Sequence, residues 1–220
     1  MVSKKIIVSL LLLVLAVVFT CGCFTATVHS TVESDATISY YRMDVETTQF
    51  VYNMVKEQAK EDGYSSVQSY MLAESENQGD FKYSESWDGD TVTMSFESTA
   101  ILESDDADKL RIEKVDGMMV YEDSRFATNE EIDTSDDYSK AMLSGIGVHY
   151  YLEMPGTIVE SNADIVDGKK AEWHLSGSDA FSTPIQATSE IPTLPVSGFT
   201  GLLAIAGFAC AVGICLRCRD

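Results

Sequence analysis

The sequence predicts an α+β protein: a strongly curved antiparallel sheet built from hairpins, packed with two short helices and followed by a C-terminal transmembrane helix. Three observations support this fold class. Short segments rich in Thr, Val and Tyr alternate between apolar and polar residues, which is typical of strands. Asp-Gly turns recur between such segments, and this dipeptide is the strongest short-range signal for a hairpin. An uncharged apolar run, residues 196–216, is long enough to cross a bilayer as a helix.

The N-terminus predicts export from the cytoplasm. Two lysines precede an apolar run over residues 6–19, and small residues follow it. This pattern is typical of a secretory signal peptide, here residues 1–22. The pair Gly22-Cys23 resembles the lipobox of prokaryotic lipoproteins, which implies that Cys23 is lipidated and becomes the first residue of the mature protein. We therefore expect an extracytoplasmic domain over residues 23–191, held beside a membrane.

The first half of this domain is predicted to contain one hairpin and two helices. Residues 25–32 and 37–45 alternate around a Ser-Asp turn and are expected to pair. A threonine at 47 or 48 caps a helix that ends near Asp62, because Phe50, Val51, Met54, Val55 and Ala59 form one apolar stripe at helical spacing. A serine at 65 or 66 begins the second, shorter helix.

The second half is predicted to be a series of strands. Three hairpins are expected around the turns at residues 88–90, 116–117 and 167–168. Their strands are residues 81–87 with 91–96, 110–115 with 118–121, and 157–165 with 170–175. A further strand carries Val148, Tyr150 and Leu152 and ends at Pro155-Gly156. A last strand, residues 184–191, is expected to close the sheet.

The C-terminus predicts a second membrane attachment. After a linker over residues 192–195, the apolar helix at 196–216 ends in a basic tail, residues 217–220, which places that tail in the cytoplasm. The stretch Ser197-Gly198-Phe199 with this helix and tail resembles the PGF-CTERM sorting signal of archaeal surface proteins, in which the tail is cut and replaced by a lipid. That family has proline where this chain has Ser197. A cleaved signal and a plain single-pass anchor therefore both stay open.

Composition restricts the partners of the domain. The net charge is −20, and it resides in the exterior domain because the two ends are net positive. Such a domain should repel nucleic acid. Solubility is the favoured explanation of the acidity, and cation binding is the alternative. All five cysteines, at 21, 23, 210, 215 and 218, lie in the membrane-associated ends. Packing alone must therefore hold the exterior domain together, without a disulfide.

One stretch carries a family resemblance. Residues 150–163, which read YYLEMPGTIVESNA, together with Val166-Asp167-Gly168 and Trp173, resemble the LppM-like lipoprotein domain. The resemblance implies a curved sheet with helices around an apolar cavity that holds lipid or glycolipid, on a membrane-tethered surface protein. It also implies that the residues of this motif line the mouth of the cavity: Tyr150, Pro155, Gly156, Asn162 and Trp173.

The same residues also have a purely structural interpretation. Pro155 and Gly156 predict a sharp bend, because proline donates no hydrogen bond and glycine frees the backbone. Asn162 predicts a turn or bulge in which its side chain bonds neighbouring backbone. Trp173 predicts a core side chain whose N–H needs a partner. This interpretation is the favoured one from the residues alone.

No motif for catalysis or for a cofactor is present. Gly-x-Ser-x-Gly and phosphate-binding glycine loops are absent from the sequence, so no enzyme activity and no cofactor are predicted. His149 and His174 are expected on neighbouring strands, with His149 facing solvent. Two histidines on one face could begin a zinc site, but no cysteine or helical His-x-x-x-His accompanies them, and no metal site is predicted. Two acidic groups, Asp105/Asp106/Asp108 and Asp133/Asp136/Asp137, are expected to be solvated loops, with a weak cation site as the alternative.

The sequence thus predicts a non-enzymatic protein of the cell membrane, exposed on the extracytoplasmic face. Its expected role is to bind a lipid or another apolar ligand, with the membrane as its partner. The alternative is a structural or adhesive envelope protein whose acidic surface is the functional feature and which has no small-molecule ligand.

Overall fold

A computed structural model describes residues 24–73, 81–104, 109–127 and 143–192. The predicted signal peptide, Cys23, the transmembrane segment at 196–216 and the basic tail lie outside these ranges, as do both acidic groups. No helix within the described ranges is long and apolar enough to span a membrane.

The described chain contains eleven strands and three helices. The first part runs as β1 (Phe24–Val32), β2 (Ile38–Thr48), α1 (Gln49–Glu61), α2 (Val67–Met71), β3 (Phe81–Asp88) and β4 (Thr91–Ser98). The second part runs as β5 (Leu110–Val115), β6 (Met118–Asp123), β7 (Ile146–Glu153), β8 (Ile158–Ser161), β9 (Ile165–Asp167), β10 (Lys170–Ser176), α3 (Asp179–Ser182) and β11 (Ile185–Glu190). An α+β composition is therefore confirmed.

The local elements follow the sequence signals closely. Thr48 caps α1, and its side chain accepts from the backbone N–H of Val51; Ser66 caps α2 with a reciprocal capping box. The predicted hairpins β1–β2, β3–β4 and β5–β6 form. Gly89, Gly117 and Gly168 adopt positive φ at the turns, a conformation in which glycine meets no steric penalty.

The prediction of one strongly curved antiparallel sheet is wrong. The strands form two sheets, a seven-stranded one in the order β3-β4-β2-β1-β7-β10-β9 and a four-stranded one in the order β5-β6-β11-β8, and neither is strongly curved or closed. The seven-stranded sheet is mixed, because β1 and β7 pair in parallel, from Phe24 opposite Ile146 to Thr31 opposite Glu153. Turn signals report only the pairing of neighbouring segments, so this long-range contact has no local signature.

The third predicted hairpin also differs. The strand expected at 157–165 is split into β8, which joins the four-stranded sheet, and β9, which pairs with β10 in the seven-stranded sheet. The closing strand β11 pairs with β6 and β8 rather than with the larger sheet. From β7 onward, the chain therefore crosses between the two sheets three times: before β8, after β8 and before β11.

The core lies on one face of the seven-stranded sheet. Helix α1 packs over β2 and β4, with Val51, Val55 and Ala59 buried. The four-stranded sheet packs over β7 and β1, where Tyr121 of β6 contacts Tyr150 of β7. The opposite face of the large sheet is polar and half-exposed, as the alternating burial of β1 and β7 shows.

Candidate functional site

The bend at Pro155-Gly156 carries the chain from β7 of the large sheet to β8 of the small one. Gly156 is buried against the backbone of β11, and a Cβ there would lie 1.9 Å from the carbonyl oxygen of Glu190. No side chain fits at that distance, so only glycine permits the crossing. The Lys169 Nζ donates to the carbonyl of Pro155 at 2.8 Å and closes the bend from the other side.

Asn162 holds the return crossing, from β8 back to the large sheet. Its Oδ1 accepts from Trp173 Nε1 at 2.9 Å and from the backbone N–H of Gln186 at 3.0 Å. Its Nδ2 donates to the carbonyl of Pro184 at 2.7 Å. Because Trp173 lies on β10 and Gln186 on β11, one amide side chain ties the two sheets together. The turn role predicted for Asn162 is thus extended to a link between layers.

Tyr150 and Trp173 lie between the sheets rather than at a surface opening. Tyr150 is 0% exposed and Trp173 is 1% exposed. Their rings meet edge to face with centroids 5.9 Å apart, and Phe126 contacts Tyr150 in the same manner. The structure therefore brings the five predicted site residues into one region, with two in the core and three at the crossings. Cys23, the predicted lipidation site, lies outside the described residues.

A cluster of polar groups is buried beside Tyr150. We call Tyr41, Tyr121, Asp123, Arg125 and Tyr150 the interior polar cluster. Arg125 Nε donates to Asp123 Oδ1 at 2.7 Å, and its Nη2 donates to Oδ2 of the same carboxylate. The Tyr150 hydroxyl donates to Asp123 Oδ2 at 2.8 Å, so the Tyr121 hydroxyl, which contacts that of Tyr150, is the donor in their bond. The Arg125 guanidinium also lies over the Tyr41 ring, 4.9 Å from its centroid.

Burial and charge fix the protonation of this cluster. Burial would lower the pKa of Arg125, but the adjacent Asp123 carboxylate raises it well above its usual value, so the arginine stays charged. Burial, and after it the charge of Asp123, raises the pKa of the Tyr150 and Tyr121 hydroxyls. Both tyrosines are therefore neutral donors, and the cluster is a fully buried ion pair enclosed by three phenols.

Two buried polar atoms in this region lack a partner among the described residues. One is Arg125 Nη1, and the other is Ser30 Oγ, on β1. The Ser30 hydroxyl lies near that of Tyr121 and lowers the pKa of the tyrosine. The two hydroxyls do not meet the geometry of a hydrogen bond. A buried donor without an acceptor costs about 1 to 3 kcal/mol. Arg125 Nη1 is therefore a buried donor with no acceptor among the described residues.

Sequence analysis did not identify Asp123 or Arg125. The available signal was the alternation of β6, in which Met119, Tyr121 and Asp123 occupy successive inward positions. A carboxylate at an inward position is unusual and indicates a buried partner. The abundance of Asp and Glu in this chain concealed that position.

Comparisons with known proteins give one strong similarity. No known family profile matches the chain. An "Uncharacterized protein" of Archaeoglobus fulgidus is 42% identical over 210 residues, which cover 94% of each chain. The folded domain of Mycobacterium tuberculosis LppM, solved by NMR, is similar over 80% of this chain and 94% of its own, with 12% identity and a TM-score of 0.44. That domain is of the type that residues 150–173 resemble, and the structural likeness is weak.

Proposed function

The chain belongs to one family with the Archaeoglobus fulgidus protein, and we propose that it is a membrane-anchored envelope protein whose exterior domain binds an amphiphilic ligand, a lipid or a glycolipid. The relative supports the anchoring half of this proposal. The alignment leaves only 6% of this chain uncovered, so it extends into both apolar ends, residues 1–23 and 193–220. Part of each end is therefore aligned with that relative.

The observation that carries the ligand half is Arg125 Nη1, which has no acceptor among the described residues and lies within a largely apolar interior. Binding sites for such ligands combine an apolar lining with a few convergent polar groups. The interior polar cluster supplies the polar groups, and Trp173, Phe126 and Met119 supply apolar surface beside it. A phosphate or sugar hydroxyl would give Arg125 Nη1 the acceptor that it lacks.

A second candidate, a structural envelope protein without a small ligand, is favoured by a different observation. The polar atoms of Asn162 and Trp173 are already bonded within the chain, and Gly156 contacts the backbone of Glu190. These residues therefore hold the two sheets together without any ligand. The two candidate functions differ in whether Arg125 Nη1 donates a hydrogen bond to a ligand.

The two predicted anchors leave the domain from opposite ends. Phe24, next to Cys23, lies at the Ile146 end of the β1–β7 pair, whereas Glu190 bonds to Thr157 beyond its Glu153 end. These ends are about 23 Å apart at the strand rise of ~3.3 Å per residue. Residues 191–195 extend at most about 18 Å. A domain anchored at both ends therefore lies along the membrane surface rather than standing upright.

Exposed apolar side chains lie near the same C-terminal exit. Val159 on β8 and Ile165 and Val166 on β9 are 56%, 51% and 46% exposed. They flank the crossings, close to where the chain continues toward the predicted transmembrane helix. A domain lying along the lipid surface would bring these side chains to the bilayer interface, where apolar groups are favoured.

Native mass spectrometry with lipid extraction tests the ligand. We expect the full-length chain, purified from membranes in mild detergent, to retain a lipid or glycolipid. The matched variant carries Asp123→Leu with Arg125→Met, which removes both charges together, and circular dichroism checks that it is folded. It should lose the retained molecule. A lipid-free wild-type protein with no thermal shift from added lipids contradicts the proposal and leaves the structural candidate.

The anchor is tested separately. We expect Cys23→Ser to abolish incorporation of a labelled acyl or isoprenoid lipid at the N-terminus. Membrane partition should persist, because the helix at 196–216 still anchors the chain. Unchanged lipid labelling in Cys23→Ser contradicts lipidation at that cysteine.

A further inference from the structure

The polar face of the seven-stranded sheet brings two histidines into contact. His149 on β7 and His174 on β10 are register partners across the antiparallel pair. Their Nδ1 atoms lie 2.9 Å apart and form a hydrogen bond, and the ring planes are inclined at 62° to each other. Both side chains are on the face opposite the core, and His174 is 38% exposed. The pair is thus accessible from solvent and lies apart from the interior polar cluster.

We propose that this pair binds a divalent transition-metal ion with tetragonal preference, such as Cu²⁺. Metal–imidazole bonds are about 2.0 Å long, so two nitrogens 2.9 Å apart subtend about 90° at a shared metal. That is the angle between neighbouring ligands of a square-planar or tetragonal site. The two nitrogens are thus close enough to share one metal in place of the hydrogen bond between them. We favour Cu²⁺ because it binds a given nitrogen site more tightly than the other divalent first-row metals do.

A carboxylate beside His174 supports this assignment. Glu172 Oε2 lies 3.7 Å from His174 Nε2, on the side of the ring away from His149. A carboxylate at the outer nitrogen favours the tautomer with a proton on Nε2, which leaves the Nδ1 lone pair free for a metal. The backbone of His174 is held as well, because its N–H donates to Asp164 Oδ2 at 2.7 Å. The ligand geometry is thus fixed by neighbours of the pair.

The protein supplies two ligands of such a site, and water completes it. Among the residues that the structure describes, no group of three or more His, Cys, Asp or Glu side chains has metal-binding geometry. An open site with two imidazoles binds its metal reversibly and exchanges it readily. The acidity of the domain, −20 for the whole chain, raises the local concentration of cations at this face.

His29 is the internal control. It lies on the same face, on β1, but its ring stacks on Tyr151 with centroids 4.8 Å apart and belongs to the neighbouring cross-strand row. Removing His29 changes the histidine content and the local charge as much as removing His149 does. We expect only His149 and His174 to contribute to metal binding.

The test is Cu²⁺ titration of the full-length, tag-free chain in detergent, with electron paramagnetic resonance as the readout. The cysteines are alkylated first, because their thiols would otherwise bind Cu²⁺. All five lie outside residues 24–192. Excess Mg²⁺ occupies the carboxylates. We expect one Cu²⁺ per chain, with hyperfine structure from two nitrogens. His149→Gln and His174→Gln should each leave one nitrogen, and His29→Gln should leave two.

Affinity gives a second, graded readout. Glu172→Gln should weaken Cu²⁺ binding about 10-fold while both nitrogens remain, because it removes only the partner of the outer nitrogen. The histidine variants should weaken it more. The proposal is overturned if the wild-type chain binds no Cu²⁺ under these conditions, if all variants bind it equally, or if His29→Gln loses as much affinity as His149→Gln. Circular dichroism checks that each exposed variant is folded.

Discussion

The two halves of the core differ although one sheet underlies both. Where α1 covers β2 and β4, the buried side chains are apolar, such as Val55, Val92 and Met94. Where the four-stranded sheet covers β7, a charged pair and three tyrosines are buried. The helix-covered half is stabilised by the burial of apolar surface. Small changes in the buried apolar area should therefore change its stability only slightly. The sheet-covered half depends on each polar group keeping its partner, so single substitutions there should cost more.

Arg125→Ala should have the largest effect. It leaves the Asp123 carboxylate buried and uncompensated, which destabilises by about 3 to 5 kcal/mol. The double variant Asp123→Leu with Arg125→Met should cost less than Arg125→Ala, because it removes both charges together and leaves only the Tyr150 hydroxyl and the Arg125 backbone N–H without their acceptor. Val55→Ala in the helix-covered half removes only apolar surface and should cost about 1.5 kcal/mol. Urea denaturation measures all three, and a double variant as unstable as Arg125→Ala contradicts the contrast between the halves.

Gly156→Ala should have the next largest effect. The added methyl group would overlap the backbone of Glu190, so β7 and β11 must separate, at a cost of at least about 2 kcal/mol. Gly147→Ala is the matched control. Its methyl group would lie 3.8 Å from the Thr25 side chain, an ordinary contact, so stability should change by less than about 0.5 kcal/mol. Equal thermal midpoints for the two variants would show that the crossing is not constrained.

Asn162→Ala tests the link between the sheets. It removes the acceptor of Trp173 Nε1 and of the Gln186 N–H. Because Asn162 and Gln186 are exposed, water replaces part of this loss, and the cost should be about 1 kcal/mol. Asn53→Ala, at an exposed position on α1, should have little effect. In a double-mutant cycle with Trp173→Phe, the two losses should be less than additive, since they break one hydrogen bond. Full additivity contradicts a direct coupling.

Alkaline pH should give the smallest of these effects at one phenol of the helix-covered half. Burial, together with the Glu85 carboxylate, raises the pKa of Tyr52 to about 12 in the helix-covered half. A raised pKa favours the neutral phenol in the folded state. Its contribution to stability is therefore complete below the usual pKa of 10.0 and is lost as pH rises through 12. The urea midpoint of the wild type should fall between about pH 9 and pH 11, and that fall should be smaller in Tyr52→Phe. An equal fall in both proteins argues against the titration of Tyr52.

Local features of the chain were predictable because their causes are local. The caps at Thr48 and Ser66 and the Asp-Gly turns act within a few residues, and the structure confirms them. The parallel pairing of β1 with β7 was not predictable. It joins segments more than a hundred residues apart, and no turn or cap specifies it. The division of the strands into two sheets was not predictable for the same reason.

The candidate site shows the same contrast between local features, which were predictable, and long-range contacts, which were not. Alternation placed His149 and His174 on the polar face, and the Pro155-Gly156 pair indicated a bend. The sequence could not show that the bend changes sheets, because that requires the position of Glu190. It also could not select Asp123 among so many carboxylates, since burial between two layers is what distinguishes it.

The sequence by itself determined the elements, their turns and caps, and the prediction of a domain held between two membrane-directed ends. Those properties depend on residue type and short-range spacing. Only the tertiary structure decided that Asn162 joins two sheets, that Arg125 is buried with an unpaired nitrogen, and that two histidine nitrogens lie 2.9 Å apart. Each of these is a distance between segments remote in the chain, and packing alone determines such distances.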